Sequence, residues 1–129
     1  MVYRYGLGGL LAVLLGLLSH NAARADLIFV TEPGNGTIGE YTTAGAPVNP
    51  ALISGLSGPN GIAVSGSDLF VVNQTLGTIG EYTTSGATVN PTLISGLSLP
   101  YGIAVSGSDL FVSDSNNGTS ANTPPRGLR

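Results

Sequence analysis

The same text returns every 41 residues. Phe29, Phe70 and Phe111 share this spacing, as do Ile38 and Ile79, and Gly61 and Gly102. Residues 61–101 are one full copy, 102–119 open the next, and 26–60 close the one before. A fixed period of this length confines the chain to a repeat architecture, in which each unit covers the apolar surface of its neighbour.

Residues 1–25 stand outside the repeat. A short positive start (Arg4) precedes an apolar run at 6–18, and the segment ends Ala23-Arg24-Ala25. This three-part form is that of a secretory signal cleaved after Ala25. The apolar run has 13 residues, and a spanning helix needs roughly 20. The expectation is a secreted or periplasmic protein with no membrane span after cleavage.

Between Asp26 and Thr119 there is no Lys, Arg or His, while Asp26, Glu32, Glu40, Asp68, Glu81, Asp109 and Asp114 are acidic. Nucleic-acid binding requires cations against phosphates and is excluded. The chain has no Cys, so its fold stands on packing and strand pairing, without disulfides.

Each period holds four strand candidates. The first spans 62–65 and 103–106. The second spans 69–73, with copies at 28–31 and 110–113. The third spans 78–83 and 37–42, the fourth 92–95 and 51–54. Val, Ile, Phe, Tyr and Thr suit strands, and Ser65-Gly66-Ser67-Asp68, Leu76-Gly77, Ser85-Gly86 and Gly96-Leu97-Ser98 supply turns. Four strands in about 40 residues predict an all-β fold of β-propeller blades, each of four antiparallel strands. Ile79 and Tyr82 on opposite faces of the third strand suit a sheet covered on both sides. Gly80 between them is expected to mark close approach of the next blade. The rival, a β-solenoid, has shorter coils than this repeat. A ring needs about four to eight blades, and this chain holds a little over two, so bare blade faces favour self-association.

The text P-x-G-I-A-V-x-G-x-x-L-F-V followed by G-T-I-x-x-Y-x-x-x-G resembles the NHL-repeat propellers. Pro59-Asn60-Gly61-Ile62-Ala63-Val64 and Pro100-Tyr101-Gly102-Ile103-Ala104-Val105 carry its first half; Leu69-Phe70-Val71, Asn73, Gly77-Thr78-Ile79, Tyr82 and Gly86 carry the second. The resemblance implies a protein- or RNA-binding surface, and similar propellers act as lactonases and lyases. It covers 26–119 and departs from the family in blade number, since family members usually close six.

The tail, 120–129, leaves the repeat text. A permissible codon set for residues 79–88, read with its first base dropped, encodes Ser-Ala-Asn-Thr-Pro-Pro-Arg-Gly-Leu and then a codon beginning CG. All ten residues from Ser120 to Arg129 fit that frame in the repeat register. The expectation is a frame-shifted third copy of the strand and a longer ancestral or natural product.

Catalytic candidates are few. The one His, His20, lies in the leader, and no Cys or Lys follows it. Ser–His hydrolysis, the His-dependent chemistry of virginiamycin B lyase-like propellers, thiolate metal sites and Schiff bases therefore lack their residues. Glu32, Asn73 and Asp114 share one repeat position. Gluconolactonase-like propellers build a metal site from Glu, Asn and Asp, so the resemblance implies Ca²⁺ as a possible cofactor; the alternative is that each starts a turn through a side-chain hydrogen bond. Asn60 and Tyr101 vary within near-identical text beside the innermost strand. They are the candidate ligand-binding positions, against ordinary loop variation. Glu40 and Glu81 recur in Gly-Glu-Tyr, as a carboxylate ladder or a solvated edge. Asn35-Gly36-Thr37, Asn73-Gln74-Thr75 and Asn117-Gly118-Thr119 match the glycosylation sequon.

The reading is a non-catalytic binding or scaffold module for a protein or glycan partner, needing no cofactor. The alternatives are a fragment of a Ca²⁺-dependent, gluconolactonase-like propeller hydrolase and a non-functional truncated product.

Overall fold

A computed structural model describes residues 27–115 and, for the backbone, 120–123. Residues 1–26, on which the expected secretory signal falls, residues 116–119 with the Asn117 sequon, and residues 124–129 lie outside the described residues. The fold is all-β. Among the described residues ten strands run in chain order: β1 Leu27–Glu32, β2 Thr37–Thr42, β3 Pro47–Ile53, β4 Pro59–Ser65, β5 Asp68–Asn73, β6 Thr78–Thr83, β7 Thr88–Ile94, β8 Pro100–Ser106, β9 Asp109–Asp114 and β10 Ser120–Thr123. They form three antiparallel sheets, β1-β2-β3, β4-β5-β6-β7 and β10-β9-β8. The sheet boundaries follow the 41-residue period.

Alternation along β5 explains why the sheets stack. Side chains on a strand point to opposite faces in turn. Leu69 and Val71 enter a core with Ile38, Ile53 and Tyr82, supported by Phe29, Leu52, Leu56 and Ile62. Phe70 and Val72 enter a second core with Ile79, Leu110 and Val112, supported by Leu93, Ile94, Leu97, Ile103 and Val105. The first core joins sheets one and two, the second joins two and three. Ile79 and Tyr82 fall in different cores, on opposite faces as the sequence predicts.

The innermost strands are the places of closest approach. A Cβ on Gly61 of β4 would lie 2.6 Å from the carbonyl oxygen of Tyr101 and 3.1 Å from the Ile103 nitrogen of β8. Gly80 has another reason to be glycine. Its missing Cβ leaves room for the ring of Tyr82 two residues on, whose atoms would lie 2.7–3.0 Å away, and Gly39 stands under Tyr41 in the same way. The expectation of a neighbouring blade at Gly80 is thus corrected: the ring of its own strand fills the space.

The fourth strand of each unit is also displaced from its expected place. It spans Pro47–Ile53 and Thr88–Ile94, starting four residues before 51 and 92. The turn ahead of it closes tightly, with Thr83 N–H donating to Ala87 O at 2.8 Å and Gly86 at φ +91°. Pairing therefore starts at Thr88, opposite Tyr82. Pro50 and Pro91 are tolerated because these are edge strands. The register shifts near Asn90, whose side-chain oxygen accepts Thr92 N–H at 3.2 Å. The first strand likewise starts earlier, at Pro59 and Pro100 rather than 62 and 103, across a register shift before Ile62 and Ile103.

One strand lies where no repeat text exists. Ser120 pairs with Ser113 and Ala121 with Val112, as Ile79 pairs with Val72 and Gly80 with Val71. The backbone of 120–123 thus takes the third-strand place in the repeat register.

Gly61 and Gly102 share a repeat position but not a neighbour. A Cβ on Gly102 would meet only Ser113 Oγ, at 3.2 Å. Gly61→Ala is expected to cost about 1–3 kcal/mol through overpacking, and Gly102→Ala to stay within about 0.5 kcal/mol. Urea unfolding of both variants checks this; equal losses would contradict the blade contact described.

Candidate functional site

Register brings the two candidate sets to one end of the stack. Asn73 closes β5 and pairs with Pro59, next to Asn60; Asp114 closes β9 and pairs with Pro100, next to Tyr101. Glu32 closes β1 at the corresponding place. The turn after each of β1 and β5 packs against the segment that follows the fourth strand. Leu56 N–H donates to Gly36 O and Leu97 N–H to Gly77 O, both at 3.0 Å. Gly36 and Gly77 have φ of +66° and +65°, a conformation that glycine adopts without steric cost.

The position shared by Glu32, Asn73 and Asp114 does three different things. The Glu32 carboxylate accepts hydrogen bonds from Asn35 Nδ2 at 3.0 Å, Tyr41 OH at 2.9 Å and Thr37 Oγ1 at 3.4 Å. The bond from Asn35, followed by that from Tyr41, holds this carboxyl below its ordinary range; burial opposes them weakly. The same bond pushes the Tyr41 phenol up. Asn73 is buried, and its Oδ1 and the Thr78 Oγ1 have no hydrogen-bond partner. Burial pushes the Tyr82 phenol up, and its hydrogen bond with Asn73 works the other way. Asp114 fastens the segment entering β8: Ser98 N–H donates to Oδ2 at 2.9 Å and Leu99 N–H to Oδ1 at 3.0 Å. The three residues thus sit one to a sheet, each engaged with local partners. Among the described residues, no three His, Cys, Asp or Glu side chains gather where they could hold a metal ion.

Asn60 and Tyr101 occupy the second residue of β4 and of β8, the strands in closest contact. Asn60 Nδ2 donates to Gln74 Oε1 at 3.4 Å, and Gln74 N–H to Gly58 O at 3.0 Å. Tyr101 is 58% exposed. Leu76, in the turn after β5, and Leu99, ahead of β8, are exposed at this same end. Sequence reasoning placed Leu76 in a turn and Gln74 in a sequon, and counted none of Gln74, Leu76 and Leu99 among the candidate binding positions. Gln74 stands where the other copies have Pro33 and Ser115, and that departure from the repeat was its only signal.

Glu40 and Glu81 face Phe29 and Phe70 across their strand pairs. Burial and the charge of Asp68 push the Glu81 carboxyl up. Of the sequons, Asn73-Gln74-Thr75 has a buried Asn, and Asn35 is tied to Glu32. Among the described residues no helix is long and apolar enough to cross a membrane.

Glu32 and Glu81 should respond to pH with opposite signs. A depressed folded pKa stabilises above the unfolded value and is lost as pH falls through the folded one. A raised carboxyl pKa favours the fold at low pH, and that advantage is lost as pH rises through the folded value. Glu32→Gln should therefore lower stability at pH 7 and Glu81→Gln raise it, both differences fading toward pH 3. Denaturant midpoints at the two pH values check this; the same sign for both variants would refute it.

No protein-family model and no curated protein matches the chain. Solved structures share its fold. The computationally designed Ika4 protein is 14% identical, with a TM-score of 0.58 over 78% of this chain and 61% of its own. Selenomethionine-substituted virginiamycin B lyase from Staphylococcus aureus is 25% identical, with a TM-score of 0.57 over 78% of this chain and 38% of its own. A streptogramin B lyase is 22% identical, with a TM-score of 0.56 over 74% and 36%. The chain therefore spans about three-fifths of the designed protein and under two-fifths of the lyases. Its sheets are β-propeller blades, short of a full ring.

Proposed function

We propose that this chain is a secreted, non-catalytic binding or scaffold module built of NHL-like propeller blades. Tyr101 carries the reading. A large aromatic side chain, 58% exposed, stands on a strand pinned between β9 and the neighbouring sheet. Tyrosine offers broad contact area and a polar tip at low entropic cost, and is enriched where proteins bind. Asn60, at the same position one blade earlier, adds amide donors and acceptors. The partner is a protein or a glycan, met at the end where the candidate positions converge. The apolar leader ending Ala23-Arg24-Ala25 supports export. The lack of His, Cys and Lys from Asp26 onward supports a role without His-dependent, thiolate or Schiff-base chemistry.

The test pairs a glycan array and a panel of extracellular proteins with Tyr101→Ala and Asn60→Ala. A bound ligand should lose at least about tenfold in affinity, about 1.4 kcal/mol, in Tyr101→Ala with its fold unchanged. A ligand indifferent to both substitutions would move the site elsewhere. Thermal unfolding in millimolar Ca²⁺ is expected to leave Tm unchanged. A Ca²⁺-dependent rise would instead favour the gluconolactonase-like hydrolase reading, with Glu32, Asn73 and Asp114 as the first positions to mutate.

A further inference from the structure

Two sheet faces have no blade over them within the described residues, and they are the two halves of one contact. On sheet one, Ile28 and Val30 are 43% and 39% exposed, whereas their repeat counterparts Leu69 and Val71 are fully buried. Tyr41 lies on the same face, and its counterpart Tyr82 is buried. On sheet three, Phe111 is 42% exposed, whereas its counterpart Phe70 is fully buried. Beside Phe111 lies an open depression of about 330 Å³ along Gly102, Ala104 and Ser113. The equivalent place on sheet two, at Gly61, is closed by the Tyr101–Ile103 backbone of the next sheet.

Inside the chain this contact occurs twice, once in each core. It is always made in one sense, with the Phe29 or Phe70 face of one sheet against the Leu69–Val71 or Leu110–Val112 face of the next. The described residues therefore present both halves of this contact, the Ile28–Val30 face of sheet one and the Phe111 face of sheet three. The geometry points to head-to-tail association with a second copy of this chain, in which Ile28 and Val30 of one copy cover Phe111 of the other. The new contact continues the internal blade stacking, and the sense of that stacking picks the second copy over an unrelated occupant. It is a heterologous contact, which closes into a ring or runs on as an open chain according to the rotation between copies. It is independent of the binding reading at Tyr101, which lies at the loop end of the blades.

Charge sets the salt dependence. Residues 26–119 carry acids and no bases, so two copies repel weakly and salt screens that repulsion. Association by apolar contact must persist or tighten as salt rises.

Sedimentation velocity on the purified chain over rising concentration tests this. The expected result is a mass that climbs above one chain and is not reduced by 0.5 M salt, a concentration at which the screening length is roughly 4 Å. The double variant Ile28→Asp with Val30→Asp, and separately Phe111→Asp, should each stay monomeric alone. An equimolar mixture of the two should form a one-to-one dimer and stop there, because each retains the half that the other lacks. If circular dichroism shows that the Asp pair unfolds β1, Ile28→Thr with Val30→Thr should still weaken association about tenfold. A monomeric wild type, dissociation by salt, a single-face variant that self-associates, or a mixture that remains monomeric would each overturn the proposal.

Discussion

The structure depends on one constraint: a sheet with apolar side chains on both faces needs a sheet on each side. Four consecutive residues of β5, Leu69 to Val72, are fully buried, and the pleat sends them alternately to the two neighbours. Burying each such side chain contributes about 1.5–3 kcal/mol, and none of it is available to an isolated blade. Disulfides contribute nothing, since the chain has no Cys. Among the described residues the two cores are lined by apolar side chains and Tyr82, and the buried polar or charged residues Asn73, Thr78 and Asp114 gather at one end, where turns and entering segments meet. Packing is thus separated from polar chemistry along the strands, and the candidate recognition residues belong to the polar end.

Most of the fold was legible in the sequence because period and alternation are direct consequences of blade geometry. Phe29, Phe70 and Phe111 mark the same strand in three sheets, and the opposite faces of Ile79 and Tyr82 follow from their odd spacing. Details set by side chains over short distances were not legible. Nothing in the text says that the Tyr82 ring folds back over Gly80, because ring direction depends on the hydroxyl's partner at Asn73. The early start of β3 and β7 was masked by Pro50 and Pro91, which argue against strands unless the strand is known to be an edge. The pairing of Ser120–Thr123 was hidden because backbone hydrogen bonds do not require the repeat's side chains.

The candidate site was legible as positions and not as roles. Repeat equivalence put Glu32, Asn73 and Asp114 together as one set, yet each works with different partners. A carboxylate reaching Tyr41, a buried amide at Tyr82 and a clamp on two backbone N–H groups are three solutions at one place. This is what a rigid repeat permits: packing residues stay fixed while end positions diverge. The same freedom turned Asn60 of one blade into Tyr101 of the next.

Amide hydrogen exchange by strand tests the central claim, that blades hold one another, most directly. Local opening free energies range from near zero to the global value, and strands covered on both faces should approach the global value. The account predicts slowest exchange in β5 and β6, faster exchange in β1 and β9, and no protection in β5 once both neighbouring sheets have opened. Protection in β1 that outlasts β5, or a β5 that stays protected while sheets one and three exchange as unfolded chain, would contradict it.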